Sequence, residues 1–484
     1  MFPVLLPADR VLLTAASLLW TRLFCSSLSV PDIPHIATYF GTKTRYEDAY
    51  PHLLQDVSSV NTSVLRPPAT ERCSPVHLTA VIRHGSRYPT AKNIRRIQRL
   101  SELVRTGASR GSAGSWLQEL QSRWVMWYTE DMDGQLVMKG RDDLRQLAKR
   151  LSVLFPSLLS EENVRRRRIT FLTSSKHRCV SSVEAFQEGL LLRGGGARGG
   201  ARGGDSEVEY SHQVDDELMR FFDRCRGYVE GVENNLTALQ EVEKFKHGEE
   251  MEGVRRRMTE RLNLHHEHLT PDLVEAAFFL CSYELSIKSL HSPWCFLFDD
   301  HDAKVLEYKS DLKHYWKRSH GHVINGLSSC PLFHHIFRNL DKAGRPRRCV
   351  SVVSLRSTEA SPEPASVLVG HAETLLPLLS LLGLHKDQTP PTADNYHLQH
   401  GRSFRASQIV PYAANVVFVV YDCERGPRLQ LLVNEMPVRF PGLDTEDAPL
   451  YRDVRAAYRH LLDGCDFHKE CEGTMVGRAP NIEL

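Results

Sequence analysis

The sequence predicts an α/β protein: a sheet with helices on both faces, interrupted by a mainly α-helical lobe. Three observations lead there. Short apolar runs of strand character recur at 76–82 (VHLTAVI), 168–173 (RITFLT), 367–370 (VLVG), 415–423 (NVVFVVYDC) and 429–438 (LQLLVNEMPV). The first two each run into a basic loop and then a segment of helical apolar spacing. Between about 205 and 345 the pattern is helical, with few strand signals.

Taken in order, residues 1–29 have the shape of a secretory signal peptide. Arg10 precedes the apolar stretch Val11–Trp20, and Ser26, Ser27 and Ser29 follow. That stretch is too short to span a bilayer, and no other segment has the length and apolarity to do so, so no membrane anchor is expected once the signal is removed. Residues 30–204 carry the first part of the α/β core. In it the strand 76–82 leads to the helical KNIRRIQRLSELV, residues 134–155 form a second amphipathic helix, and the strand 168–173 leads through SSKHRC to the helical VSSVEAFQEGLLL. Both strands release basic residues just past their ends, where open α/β sheets place ligand sites. GGGARGGARGG (194–204) has neither the Lys-Ser/Thr of a P-loop nor a strand directly before it, and reads as a flexible insertion. Residues 205–345 are the inserted helical lobe. Residues 346–484 return to the core: 350–366 is a polar loop leading into VLVG, followed by the last two strands and a C-terminal tail.

The formal charge is +2, from 61 basic and 59 acidic residues, which gives no case for nucleic-acid binding. Any basic character that matters is local. Of the eleven cysteines, Cys25 would leave with the signal and ten would remain. They lack paired CxxC spacing, so disulfides of an oxidising compartment are expected in place of zinc. Cys465 with Cys471 is the expected local bridge. The sequons at Asn61 and Asn235 fit the same compartment. The C-terminal Asn481-Ile482-Glu483-Leu484 resembles an ER-retrieval tetrapeptide in its last two positions only. The protein is therefore expected in the secretory pathway, in the ER lumen if that tail is read and secreted otherwise. HHEH (265–268) and DDHD (299–302) contain metal-ligand residue types without a recognised spacing and read as solvated faces, and RRRR (165–168) reads as a solvated turn.

The stretch with most chemistry is Arg83-His84-Gly85-Ser86-Arg87-Tyr88-Pro89. A histidine at a strand end, next to a glycine that permits close approach, can act as a nucleophile. Arg83 and Arg87 offer rigid forks of donors that match phosphate. RHGSRYP resembles the RHGxRxP motif of the histidine acid phosphatases. Nearly 300 residues later, Gly370-His371-Ala372-Glu373-Thr374 resembles the His-Ala-Glu form carried by the multiple inositol polyphosphate phosphatase branch, where most of the family has His-Asp. The surroundings at 173–182, 292–299, 304–318, 370–383 and 409–424 agree, and the likeness covers roughly residues 40 to 470.

The resemblance implies a histidine-phosphatase-like core with an inserted helical lobe. It implies that His84 is the nucleophile, that Arg83, Arg87 and Arg178 clamp the transferred phosphoryl group, and that His371 donates to it. Glu373 would protonate the leaving alcohol, and Lys92 would bind another phosphate of the substrate. The implied substrates are inositol polyphosphates, the hexakisphosphate included, and 2,3-bisphosphoglycerate. No metal or other cofactor is implied. Two other readings share the fold: a mutase-like phosphotransferase, which would return phosphate to a second alcohol, and a non-catalytic polyanion binder, which would lack His84 or Glu373. Both residues are present.

Overall fold

The computed structural model describes residues 34–54, 60–65, 67, 71–107, 115–191, 210–289, 291–345, 363–443 and 445–472. The signal segment, the glycine-rich insertion, most of the 350–366 loop and the C-terminal tetrapeptide lie outside them.

Strand β1 (Cys73–Arg83) is buried along its last seven residues, which is why it reads as a nearly continuous apolar run. It lies inside a seven-stranded sheet with β2 (Ile169–Thr173), β3 (Gln213–Val214), β4 (Ala365–Gly370), β5 (Asn415–Cys423), β6 (Arg428–Val433) and β7 (Met436–Val438), ordered β3-β2-β4-β1-β5-β6-β7. The β3-β2-β4-β1 half is parallel and the β5-β6-β7 half antiparallel. Two expectations are corrected here. β4 begins at Ala365, because Ala365 and Ser366 already pair with β1 and β2; the predicted loop therefore ends earlier. The run 429–438 is two strands, turned at Asn434 and Glu435, both at positive φ (51° and 65°). Glu435 is held there by Arg150, whose Nε and Nη2 donate to its carboxylate at 2.8 and 2.7 Å.

The α-helices that matter to the site are α1 (Ala91–Gly107), α2 (Met138–Leu154), α3 (His177–Leu191), α4 (Glu249–Leu262), α5 (Pro271–Lys288), α6 (Asp300–Arg318), α7 (Cys330–Ala343) and α8 (Ala372–Leu381). Alternation along β1 sends Leu78, Ala80 and Ile82 into one core, with α2 and α3, and Val81 into another, with α7 and α8. Helices thus cover both faces of the sheet. A third core joins α1, α4, α5 and most of α6 with Ile36, Ala37 and Phe40. Residues 205–345 do not pack as one body: Leu218–Val232 and α7 belong to the sheet's core. α6 runs between the two, with Leu312 in the helical core and Tyr315 in the sheet's core.

Helix α2 starts at Met138, four residues later than its amphipathic pattern. Residues 134–137 instead form a strap along the loop after β1, with Tyr88 N donating to Gln135 O at 2.9 Å and Val137 N to Ser86 O at 3.1 Å. The predicted Cys465–Cys471 bridge is also overturned. Cys465 pairs with Cys330 at the start of α7, and Cys471 with Cys225, at Cα separations of 5.6 and 4.6 Å. Each cysteine is drawn to a different element of the core, so the tail is tied at two places instead of being closed on itself. Cys73–Cys423 and Cys281–Cys295 complete the bridges among the described residues, and the buried Cys179 is a free thiol. Four disulfides imply an oxidising compartment. No described helix is long and apolar enough to cross a membrane.

The bridge Cys73–Cys423 closes a 350-residue separation. Replacing both cysteines with serine is expected to lower stability by about 4 kcal/mol, mainly by freeing the unfolded chain. Calorimetry of the double variant checks this, and an unchanged unfolding midpoint would refute it.

Candidate active site

The carboxyl ends of β1, β4 and β2 lie side by side. Arg83 pairs with Gly370, and Val369 with Thr173. Beyond those ends the ladder continues through His84 N to Gly370 O at 3.0 Å and Ser174 N to Val369 O at 3.2 Å. His84, His371 and the Ser174–Arg178 turn therefore emerge together, although up to 287 residues separate them (371 − 84).

The loop after β1 is held from below. Gly85 N donates to Ser182 Oγ on α3 at 3.1 Å, and Ser86 Oγ to Asp143 Oδ2 on α2 at 3.1 Å. Lys139 pairs with Asp143 and with Glu47. Two glycines make the approach possible. A Cβ on Gly85 would lie 2.2 Å from Gly140 O, and one on Gly140 would lie 2.2 Å from Ser86 O. Gly85 was legible in the motif; Gly140 was not, because its need arises only where α2 crosses this loop.

The His84 Nδ1 lies 2.9 Å from the carbonyl of Gly85. A carbonyl only accepts, so Nδ1 carries the hydrogen and Nε2 keeps its lone pair. Burial, followed by Arg178, Arg83, His371 and Arg87, holds the imidazole well below the ordinary histidine range. His84 is thus a neutral base inside a cationic ring. The His371 ring centroid is 5.6 Å away, near perpendicular. Arg178 Nη2 donates to His371 Nδ1 at 3.3 Å, which leaves the hydrogen on Nε2 for Ser174 Oγ at 2.9 Å. Burial and Arg178 push His371 down to about 3.

Arg83 Nη1 donates to Thr42 O and Val410 O at 2.6 and 2.5 Å. Burial lowers it to about 10, so it remains a cation. Arg87 Nη1 donates to Tyr88 O at 2.7 Å. The Nε of Arg83, Arg87 and Arg178 are all buried without a partner. Glu373 sits in the first turn of α8. Burial pushes its carboxyl up, but Arg318, His371, its own backbone amide and Arg83 outweigh that and hold it well below the carboxylate range. Thr374 locks the turn, with His371 N donating to its Oγ1 at 3.0 Å and Oγ1 to Met219 O at 2.8 Å.

The fold thus brings together His84, Arg83, Arg87, Arg178, His371 and Glu373. No described contact ties Lys92 to them; it lies exposed on α1. Three cations that the sequence reading did not single out join the cluster. Arg318, at the end of α6, is the strongest charge acting on Glu373, and is held by Tyr228 and by Glu233 at 3.0 Å. Lys43 stands 3.4 Å from the Phe279 ring centroid. It is pushed well below the lysine range by burial, then by Lys313, Arg87 and Arg83. Lys313 is also lowered, by burial and by Lys309 and Lys317 against the pull of Glu275. Only Arg318 and Lys313 lay in a segment quoted for family likeness; nothing local marked any of the three as converging on His84.

DDHD is not a solvated face throughout. Asp302 is fully buried, caps α6 with Asp299, and pairs with Arg257 and Arg261. The carboxylates that come close enough to His301 for a metal site are thereby neutralised by arginines. RRRR lies exposed at the turn before β2.

A family model described as "Histidine phosphatase superfamily (branch 2)" matches residues 76–434. "Multiple inositol polyphosphate phosphatase 1" of Homo sapiens is 44% identical over 476 residues, covering 95% of this chain and 94% of that one. The protein of the same name from Gallus gallus is 44% identical over 451 residues, covering 92% and 95%. Among solved structures, the Bifidobacterium longum multiple inositol polyphosphate phosphatase in complex with inositol hexasulfate superposes with a TM-score of 0.67 at 15% identity, over 87% of this chain and 97% of that one. At that identity the likeness is one of fold.

Gly140→Ala is expected to displace the His84 loop and destabilise the protein by about 1–3 kcal/mol, with weakened binding of inorganic phosphate. Gly464→Ala, where an added Cβ meets nothing within 4 Å, is the control. Thermal unfolding and phosphate titration of both variants check the contrast, and equal behaviour would refute it.

Proposed function

The chain belongs to the histidine phosphatase superfamily, branch 2, and from that premise we propose that it hydrolyses inositol polyphosphates, the hexakisphosphate among them, through a phosphohistidine on His84. The observation that carries this reading is a buried, neutral imidazole with a free Nε2, on which three neighbouring guanidinium groups act. Nε2 attacks phosphorus, the P–O ester bond breaks, and the leaving oxygen takes a proton from Glu373. Water, deprotonated by Glu373, then attacks the phosphohistidine and releases phosphate. Arg83, Arg87 and Arg178 neutralise the non-bridging oxygens throughout. His371 serves as a further donor once Arg178 turns from its Nδ1 to the phosphoryl group. The Ser174 hydroxyl can donate as well as accept, so it accommodates the tautomer with hydrogen on Nδ1.

Two features favour a substrate with several phosphates. Burial and then Lys313, Arg87 and Arg83 depress Lys43, and burial with Lys309 and Lys317 depresses Lys313, so an additional anion beside these lysines relieves repulsion that a single phosphate on His84 leaves in place. Glu373 is ionised in the ligand-free site. Further negative charge on the substrate raises its pKa and helps it to hold the proton it must donate. 2,3-Bisphosphoglycerate, with two phosphates, fits the same logic as a smaller substrate. Lys92 is assigned to a peripheral phosphate of the larger substrates.

We also place the protein in the secretory pathway, retained in the ER lumen where Asn481–Leu484 is read as an address. Asn61 and Asn235 are its glycan acceptors. Asn61 is exposed, and Asn235 donates one Nδ2 hydrogen to Gly231 O at 3.1 Å, a bond that the glycosylated amide can keep.

His84→Ala is expected to abolish phosphate release, and a quenched turnover with labelled substrate should leave acid-labile label on His84. Label on any other residue ends the proposal. Glu373→Gln should lower kcat on inositol phosphates by about 10²–10⁴ and affect an activated aryl phosphate far less; equal losses would remove the acid role.

The pH dependence follows from the same groups. Protonation of His84 would consume its lone pair, but its pKa lies well below 6.5, so kcat/KM should not fall as pH drops through 6.5. On the alkaline side, kcat should fall as substrate-bound Glu373 loses its proton, and Glu373→Gln should lack that limb. Rate profiles of both proteins decide the matter.

A further inference from the structure

We infer that the Tyr412 hydroxyl is an additional phosphate-binding donor of this site, an assignment that rests on the phosphatase reading above and deepens it. Residues 410–414 are stitched to both sides of the nucleophile. Val410 O accepts from Arg83, Tyr412 N donates to Thr44 O at 3.0 Å, Ala413 N to His84 O at 3.2 Å, and Arg83 N to Ala414 O at 2.7 Å. Ala413 takes a left-handed φ of 58° to make the turn. Just upstream, Asp311 on α6 anchors Ala406 N at 2.8 Å. The ring of Tyr412 is therefore placed by the same backbone that places His84. It lies 4.7 Å from the Arg83 guanidinium carbon and 6.1 Å from the His84 ring centroid.

The hydroxyl is what demands an explanation. Tyr412 is fully buried, and its oxygen has no hydrogen-bond partner. The charged groups acting on it are Arg87, Arg83 and Arg178, and Tyr283 stands on the same side. Arginine cannot accept a hydrogen bond. The three Nε–H groups and the phenol hydrogen are thus buried donors that lack an acceptor, carried by side chains that act on one another. Burial pushes the phenol up to about 12, so it keeps its hydrogen at any working pH. A tetrahedral oxyanion on His84 supplies the acceptors that the ligand-free site does not. The hydroxyl adds a directional, uncharged donor to a clamp made mainly of cations.

The two states predict opposite effects of one change. Tyr412→Phe keeps the ring over Arg83 and removes only the unmatched hydroxyl. In the ligand-free protein the unfolding midpoint should stay level or rise, because a buried polar group without a partner is lost. Inhibition by inorganic phosphate should weaken about tenfold to a hundredfold, as for a hydrogen bond to a charged group, and kcat/KM on inositol hexakisphosphate should fall. Unchanged phosphate inhibition in the variant overturns the inference, with or without a fall in the midpoint. The two readings fail separately. A wild-type protein that binds phosphate without hydrolysing esters sinks the phosphatase reading, while weaker phosphate binding by Tyr412→Phe still supports this one.

Discussion

The amide of His84 donates to the carbonyl of Gly370, and the rest of the site depends on that bond. It extends the β1–β4 ladder one residue past the sheet, so His84 and His371 leave adjacent strands at the same level. β2 adds Ser174 and Arg178 from the other side of β4. A one-residue slip in this parallel register would turn every side chain to the opposite face. The apolar alternation of β1, with Leu78, Ala80 and Ile82 on one side and Val81 on the other, resists such a slip by burying both sets.

This framework holds together groups that repel. Arg83, Arg87 and Arg178 crowd around His84, with Lys43, Lys313 and Arg318 close by; burial first, and that crowding second, depress the pKa values of His84, His371 and Lys43. Two consequences matter for chemistry. The imidazole stays neutral, hence nucleophilic, at pH values where an ordinary histidine is protonated. The cations are already in place and undischarged, so they need little reorganisation when a phosphoryl group arrives. The opposing charge is sparse: Glu373 in the first turn of α8, and Glu275, held at about 2 by Lys309, Lys313 and Lys43 against its own burial.

The helical lobe is part of the site, not an appendage to it. α6 begins in the lobe's own core and ends in the sheet's core, and it delivers Lys313 and then Arg318 across the junction. α5 supplies Glu275, which restrains the two lysines, and Tyr283, which bonds to Asn93 at 3.1 Å and to Arg87. The disulfides Cys225–Cys471 and Cys330–Cys465 pin the chain's last described helix to this same region.

The sequence by itself determined most strands and helices and marked out the residues proposed to hold the phosphoryl group, because each has a local mark. Buried strands read as apolar runs, and RHGSRYP and GHAET carry most of the side chains that converge on the candidate site within a few positions. Tertiary structure alone decided which cysteines pair, that 429–438 folds back at Asn434 and Glu435, and that Gly140, Lys43, Arg318 and Tyr412 belong to the site. Those residues look like ordinary helix, loop and strand-entry positions along the chain. Their meaning comes from a close backbone crossing, a shared electrostatic field or a missing acceptor. All three are relations between segments far apart in the sequence, and a linear pattern has no way to encode them.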